Sequence, residues 1–282
     1  MPVIATTTNI ATLDNASVAI YGLKLTASGR NTSVISDFRW AEWVQVINSQ
    51  SNTNAVAITA TAPVFARNIY AECSGTSYSA VATFLPANGG ASNIRLQGNA
   101  SASSGNRRGF TASANDYYNL RRMTLIDNIG GGIVLAGTGA SARAAIWNSV
   151  IVDNEGDGIS SAGTSTSLGM ISGCMITGAH TNGINITGTG DAVITNCRFR
   201  GYSSAAITGT LEWNDPPLNG NVTTAGSDSD EYVNAAAGDY RIKSTSAYWG
   251  KGIGAGDEAP AAGGGGGRSA IQALSIPGVS IF

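Results

Sequence analysis

Residues 120–135 read LRRMTLIDNIGGGIVL. Beneath them can be set 146–161, IWNSVIVDNEGDGISS, then 171–186, ISGCMITGAHTNGINI, and 194–209, ITNCRFRGYSSAAITG. Three apolar columns keep step through these blocks. Leu120, Ile146, Ile171 and Ile194 advance by 26, 25 and 23 residues, as do Leu125, Ile151, Ile176 and Phe199, and likewise Ile133, Ile159, Ile184 and Ile207. A repeat of this length marks a stacked architecture. Because the columns share one set of increments, the length differences fall outside the blocks, after Leu135, Ser161 and Ile186. The sequences there, AGTG at 136–139, AGTS at 162–165 and TGTG at 187–190, have the composition of loops.

Within each block apolar residues alternate, as in Met123-Thr124-Leu125 and Ile184-Asn185-Ile186, the two-residue period of a strand. Between the two strands of a block sits a polar turn, Asp127-Asn128, Asp153-Asn154 or Gly178-Ala179, built from residues that tolerate a left-handed corner. A small residue, Gly132, Gly158, Gly183 or Ala206, precedes each inward Ile. Upstream, Val46, Ala71 and Leu96 follow at 25-residue steps, and Leu25 and Leu125 join them with unequal loops. Such a coil buries its apolar face only by stacking rungs about 4.8 Å apart. The expectation is an all-β, right-handed, single-stranded parallel β-helix of about eight or more rungs. A fourth column, Met123, Ser149, Cys174 and Cys197, places two thiols one above the other on the inward side, where a thiol behaves as a small hydrophobe.

Composition narrows the function. Charged residues are 12% of 282, Gly numbers 37, and Ser, Thr, Asn and Ala stand where helical proteins carry Lys, Glu and Leu. A net charge of −2 gives no broad basic surface, so nucleic acid is not an expected partner. No apolar run is long enough to span a membrane. The opening residues, MPVIATTT, lack a basic stretch followed by an apolar one, which sets aside the general secretory route. Three cysteines, Cys73, Cys174 and Cys197, are too few for a disulfide framework and suit a reducing cytosol.

The block Asp153-Asn154-Glu155-Gly156-Asp157-Gly158-Ile159 resembles the rung motif of the pectate-lyase-like superfamily of parallel β-helices. Asp239-Tyr240-Arg241-Ile242-Lys243, with Ser246-Ala247 and Gly252-Ile253-Gly254-Ala255-Gly256, is similar to the terminal rung that closes many of them. The likeness runs over roughly residues 15–257. It implies a fold and leaves activity open, because the superfamily includes polysaccharide lyases, hydrolases, adhesins and virus-particle proteins.

A polysaccharide hydrolase needs carboxylates facing a groove, and the alternative catalytic set here is Asp127, Asp153 and Asp157. Asp-Asn pairs are also ordinary turn chemistry, so no catalytic residue is assigned outright. His180 falls in a turn and reads as a solvated corner. Asp228, Asp230 and Glu231 lie in a Ser/Gly-rich connection and read as solvated acids. Arg241-Ile242-Lys243 has a superficial likeness to a polygalacturonase substrate-binding element, whose companion motifs are absent. No cofactor or metal is expected. Trp40, Trp43, Tyr117, Tyr118 and Trp147 could supply stacking faces for a glycan if they point outward.

The remaining signal is the C-terminus. Residues 1–257 form the coil, with 1–14 a cap or arm; 258–268, containing Gly263 to Gly267, form a flexible linker; 269–282 form an apolar anchor. Its docking residues are Ile271, Leu274, Ile276, Val279, Ile281 and Phe282. With the resemblance to a superfamily that includes virus-particle proteins, the reduced cysteines, the low charge and this tail imply a bacteriophage virion protein assembled in the host cytoplasm. The expected form is a capsid decoration or fibre-like surface protein held to capsid or tail proteins by its C-terminal tail. A homotrimer and a surface glycan ligand stay open. The alternatives are a tail-spike-type lyase or hydrolase and a non-catalytic glycan-binding adhesin.

Overall fold

A computed structural model describes residues 3–6, 19–28, 33–36, 38–60, 65–84, 89–103, 106–112, 117–135, 143–152, 155–161, 167–178, 180–187, 192–209, 220–223, 228–237, 239–251 and 253–254. The linker 258–268, the anchor 269–282 with its six docking residues, Asp153 and the loops 136–139 and 162–165 lie outside these. The described chain is a parallel β-solenoid built from a 13-stranded and an eight-stranded sheet. The path of the first runs through Val3–Thr6, Lys24–Ala27, Trp40–Asn48, Phe65–Cys73, Gly89–Gln97, Tyr117–Ile126, Arg143–Trp147, Ser167–Ser172 and Val193–Thr195. The second stacks Ser33–Ser36, Val56–Ala60, Ala80–Phe84, Arg108–Ala112, Gly131–Leu135, Ile159–Ser161, His180–Ile186 and Tyr202–Gly209.

The three apolar columns are the hydrogen-bonded register itself. Leu120 pairs Ile146, Ile146 pairs Ile171 and Ile171 pairs Ile194. Leu125, Ile151, Ile176 and Phe199 stack in the same way, as do Ile133, Ile159, Ile184 and Ile207. The upstream register holds too, from Leu25 through Val46, Ala71 and Leu96 to Leu125. These side chains form one continuous core along the axis. Its girth is not uniform. The inward column at Ala41, Ala66 and Ala91 thickens to Leu120 and Ile146, and beside the alanines a void of about 10 Å³ remains, at or below what one water needs.

Each turn of the first sheet is bent by one residue with a left-handed backbone. Gly22, Trp43, Asn68, Asn93, Arg122, Asn148, Gly173, Asn196 and Gly220 occupy this corner with φ between 47° and 67°. Asn leads at the site because its short amide tolerates that region and bonds locally. Asn93 donates from Nδ2 to Oδ1 of Asn68 at 2.7 Å, and Asn68 donates to Glu42 Oε1 at 3.3 Å, so the corners are laddered. At Gly173 a Cβ would lie 2.4 Å from Asn148 Oδ1, so the asparagine occupies the space a side chain there would need. The same corner recurs at Gly220, and Val222 bridges Arg198 in parallel. Within the connection after Thr210, residues 220–223 thus continue the stack.

The DYRIK segment departs from expectation. It does not add a closing rung. Asp239–Ile242 pairs antiparallel with Tyr232–Asn234, and this hairpin lies on the outer face of the coil. Val150, Val152 and Met175, which alternate with inward residues and would otherwise face water, pack there against Tyr232 and Ile242. No helix among the described residues is long and apolar enough to cross a membrane.

Candidate functional site: an aromatic groove on the first sheet

Outward positions of the first sheet also form columns. One runs Trp40, Phe65, Gly90, Asn119, and its neighbour two residues on runs Tyr21, Glu42, Arg67, Ser92, Arg121, Trp147. The strand period of two puts both columns on the outer face while Ala41, Ala66 and Ala91 between them point inward. Gly90 interrupts the wall of side chains. A Cβ at Gly90 would meet only ordinary contacts, 3.7 Å from the Phe65 ring and 3.8 Å from the Asn119 carbonyl, so the backbone does not require glycine there. Its lack of a side chain instead leaves a groove of about 360 Å³, with Trp40 and Phe65 on one side, Tyr117 and Arg121 on the other and Gly90 and Ser92 at the floor.

The rings are held and yet open. Trp40 and Phe65 lie 6.0 Å apart at 40° and are 43% and 54% exposed; Tyr117 is 46% exposed. Arg67 lies beside them with its side chain 60% exposed, and its Nε is 3.4 Å from Glu42 Oε1. Arg121 donates from Nε to Asn119 Oδ1 at 3.0 Å and rests its guanidinium 5.9 Å from the Trp147 ring centroid. The lining includes no carboxylate. The surface thus combines stacking faces with planar cations and lacks an acid–base pair.

Of the five aromatic residues read from the sequence, only Trp40 and Tyr117 belong to this groove. Tyr118 points inward and packs against Phe110, Trp43 is half-buried at the left-handed corner, and Trp147 lies beneath Arg121. Phe65, Arg67, Arg121 and the glycine gap were missed, although Trp40, Phe65 and Gly90 repeat at the 25-residue step of the core columns.

The catalytic alternatives are not brought together here. Asp127 sits at a corner with φ 56°, and its carboxylate accepts from Gln97 Nε2 at 2.7 Å. Asp157 uses both oxygens, Oδ1 accepting from the Asn182 amide at 2.8 Å and Oδ2 from Asn185 at 2.8 Å. His180 is not a solvated corner. It opens a strand, is 2% exposed and places Nε2 2.8 Å from the Thr177 carbonyl oxygen.

Glu231 also departs from its expected solvation. It is buried against Arg198, which donates from Nε to Oε2 at 2.9 Å and from Nη2 to Oε1 at 2.6 Å. Burial alone would lower the Arg198 pKa, but the bonds and charge of Glu231 outweigh it and hold it above its ordinary value. Asp230 is exposed. The three cysteines are free and buried. Burial pushes the Cys73 thiol up, and burial with the neighbouring Cys174 does the same to Cys197, so both stay protonated. No cluster of three or more His, Cys, Asp or Glu suited to a metal occurs among the described residues.

Comparison with protein-family models, with curated proteins and with solved structures found no match.

Proposed function

We propose that this protein is a non-catalytic glycan-binding β-solenoid, a rigid rod that presents its aromatic groove to a surface polysaccharide. One observation carries the reading: rings of Trp40, Phe65 and Tyr117 stand exposed around a glycine-floored groove on a parallel sheet. Sugar rings offer apolar C–H faces that stack on aromatic side chains, and their hydroxyls match the Asn119, Ser92 and arginine groups nearby. The adhesin alternative thus gains support beyond the sequence. The enzymatic alternative gains none from Asp127 or Asp157, whose carboxylates are tied to neighbouring amides away from the groove.

The test is binding of the full chain to a panel of immobilised bacterial and host oligosaccharides. Trp40→Ala, Phe65→Ala and Tyr117→Ala each remove an exposed ring and should weaken binding roughly tenfold, about 1.4 kcal/mol. Gly90→Leu should fill the groove and abolish binding with the melting temperature unchanged. Saturable binding indifferent to all four changes would place the ligand elsewhere, and an absence of binding across the panel would end the reading.

The low charge of the coil and the apolar sequence beyond the glycine run, taken with the resemblance to a superfamily that includes virus-particle proteins, support a second statement, that the rod is a bacteriophage virion surface protein attached by residues 269–282. Removal of 263–282 should then abolish incorporation into particles while the coil stays folded. Retained incorporation would overturn the attachment.

A further inference from the structure

We infer that the groove selects acidic glycans laid along the solenoid axis, with one negative group per disaccharide. The inference rests on the glycan-binding reading and adds charge and spacing to it. Arg67 pairs in register with Ser92, and Ser92 with Arg121, so the two arginines share one outward column and stand two rungs apart. Two strand spacings amount to about 10 Å, the length of a disaccharide unit. Both guanidiniums are steered from one edge. Glu42 holds the Nε of Arg67, while Asn119 holds the Nε of Arg121 and Trp147 supports its plane. Their terminal nitrogens have no protein partner among the described residues, which leaves the fork that accepts a carboxylate or sulfate in bidentate fashion.

Between the two arginines the surface changes character. Ser92 and Gly90 contribute no charge, and the gap is flanked by the Phe65 ring on the rung of Arg67 and by Tyr117 on the strand of Arg121. A sugar seated there would be bound by its uncharged face, and a carboxylate on that intermediate sugar would lose water without gaining a cation. Two fixed cations separated by an uncharged, aromatic-flanked interval therefore match an alternating polymer better than one charged on every residue. A pair of merely solvated surface arginines would show no such preference, since mobile guanidiniums follow the ligand's charges wherever they fall.

The experiment is isothermal titration of the full chain with three hexasaccharides: hyaluronan, acidic on every second sugar; oligogalacturonate, acidic on every sugar; and cellohexaose, neutral. Hyaluronan should bind at least about tenfold more tightly than cellohexaose, the gain expected of hydrogen bonds to a charged group. Oligogalacturonate should fall between them. The double variant Arg67→Gln/Arg121→Gln should remove the acidic advantage, bringing hyaluronan down to the level of cellohexaose measured on the same variant, with the melting temperature unchanged. Added salt should shrink the same advantage in the unmodified chain.

Equal binding of hyaluronan and cellohexaose would overturn the charge selectivity and leave the glycan reading standing. Oligogalacturonate binding as tightly as hyaluronan would overturn the spacing. An equal loss for acidic and neutral sugars in the double variant would make the arginines packing groups. If none of the three sugars binds, while the broader panel does show saturable binding, only the inference falls; if the panel is also blank, both fall.

Discussion

The residue that best shows how tightly this coil is wound is Gly158. A Cβ there would lie 2.6 Å from the Gly183 carbonyl oxygen and 2.6 Å from Ile176 Cγ2, a rung above and an inward neighbour that cannot both retreat. Gly158→Ala should therefore cost about 1–3 kcal/mol, the scale of overpacking in a filled interior, measurable by denaturant unfolding. Gly132 and Gly183 meet the same obstruction from Gly158 and Ala206. That a small residue stands before each inward Ile was legible from the alignment; the carbonyl it must clear was not, because only stacking brings it there. The left-handed corner was equally available. Arg122, Asn148, Gly173 and Asn196 advance by the same 26, 25 and 23 residues as the apolar columns, but a column that mixes Arg, Asn and Gly shares no one property that sets it apart from other polar positions. Groove residues were harder still, since an outward ring and an inward one look alike until the parity of the strand is fixed. Tyr117 and Tyr118, adjacent in sequence, point to opposite sides.

Among elements, the hairpin formed by Tyr232–Asn234 and Asp239–Ile242 explains why a likeness of motif did not carry a likeness of position. Its sequence reads as one more strand, but its partner strand is its own neighbour, and what it covers is the apolar outer stripe of Val150, Val152 and Met175. The anchor is the Arg198–Glu231 pair, with Arg198 also donating to the Phe199 and Val222 carbonyls and lying 5.1 Å from the Tyr248 ring centroid. Arg198→Met leaves a buried carboxylate without its cation and should destabilise the hairpin by about 3–5 kcal/mol, whereas Arg198→Met/Glu231→Leu removes both charges and should cost less. Hydrogen exchange at Tyr232 and Ile242 reads the difference. Acid acts on a separate contact. Hydrogen bonding to Arg241 holds the Asp239 carboxyl below its ordinary value of 3.8, so that contribution is complete at neutral pH. It erodes as the pH falls below 3.8 and is gone once the lower folded-state value is passed. A titration of the Asp239 carboxyl signal beside hairpin exchange should show both changing in that acid window and nowhere above it.

For the molecule as a whole, the interior is one uninterrupted column, so its thiols report on its integrity. Cys73, Cys174 and Cys197 are buried, and a thiol reagent should find none of them in the native state and all three in denaturant. Reaction of Cys174 and Cys197 before Cys73 would reveal that the coil opens from its C-terminal rungs first. The overall fold was legible because a solenoid repeats its instructions, and agreement among four blocks left little else to consider. Function was not, because the outer face carries no such redundancy and each position there is read once. The repeat also makes the rod a ruler. Each rung adds about 4.8 Å. Duplicating residues 149–173 would lengthen it by one such step and carry the groove further from whatever holds the far end, with every contact inside the groove unchanged. Excising the rung of Asn93 would shorten it by the same step and bring Arg67 and Arg121 onto adjacent rungs. Length in this architecture is quantised, and the same quantum sets both how far the groove stands from the C-terminal rungs and how far apart Arg67 and Arg121 stand.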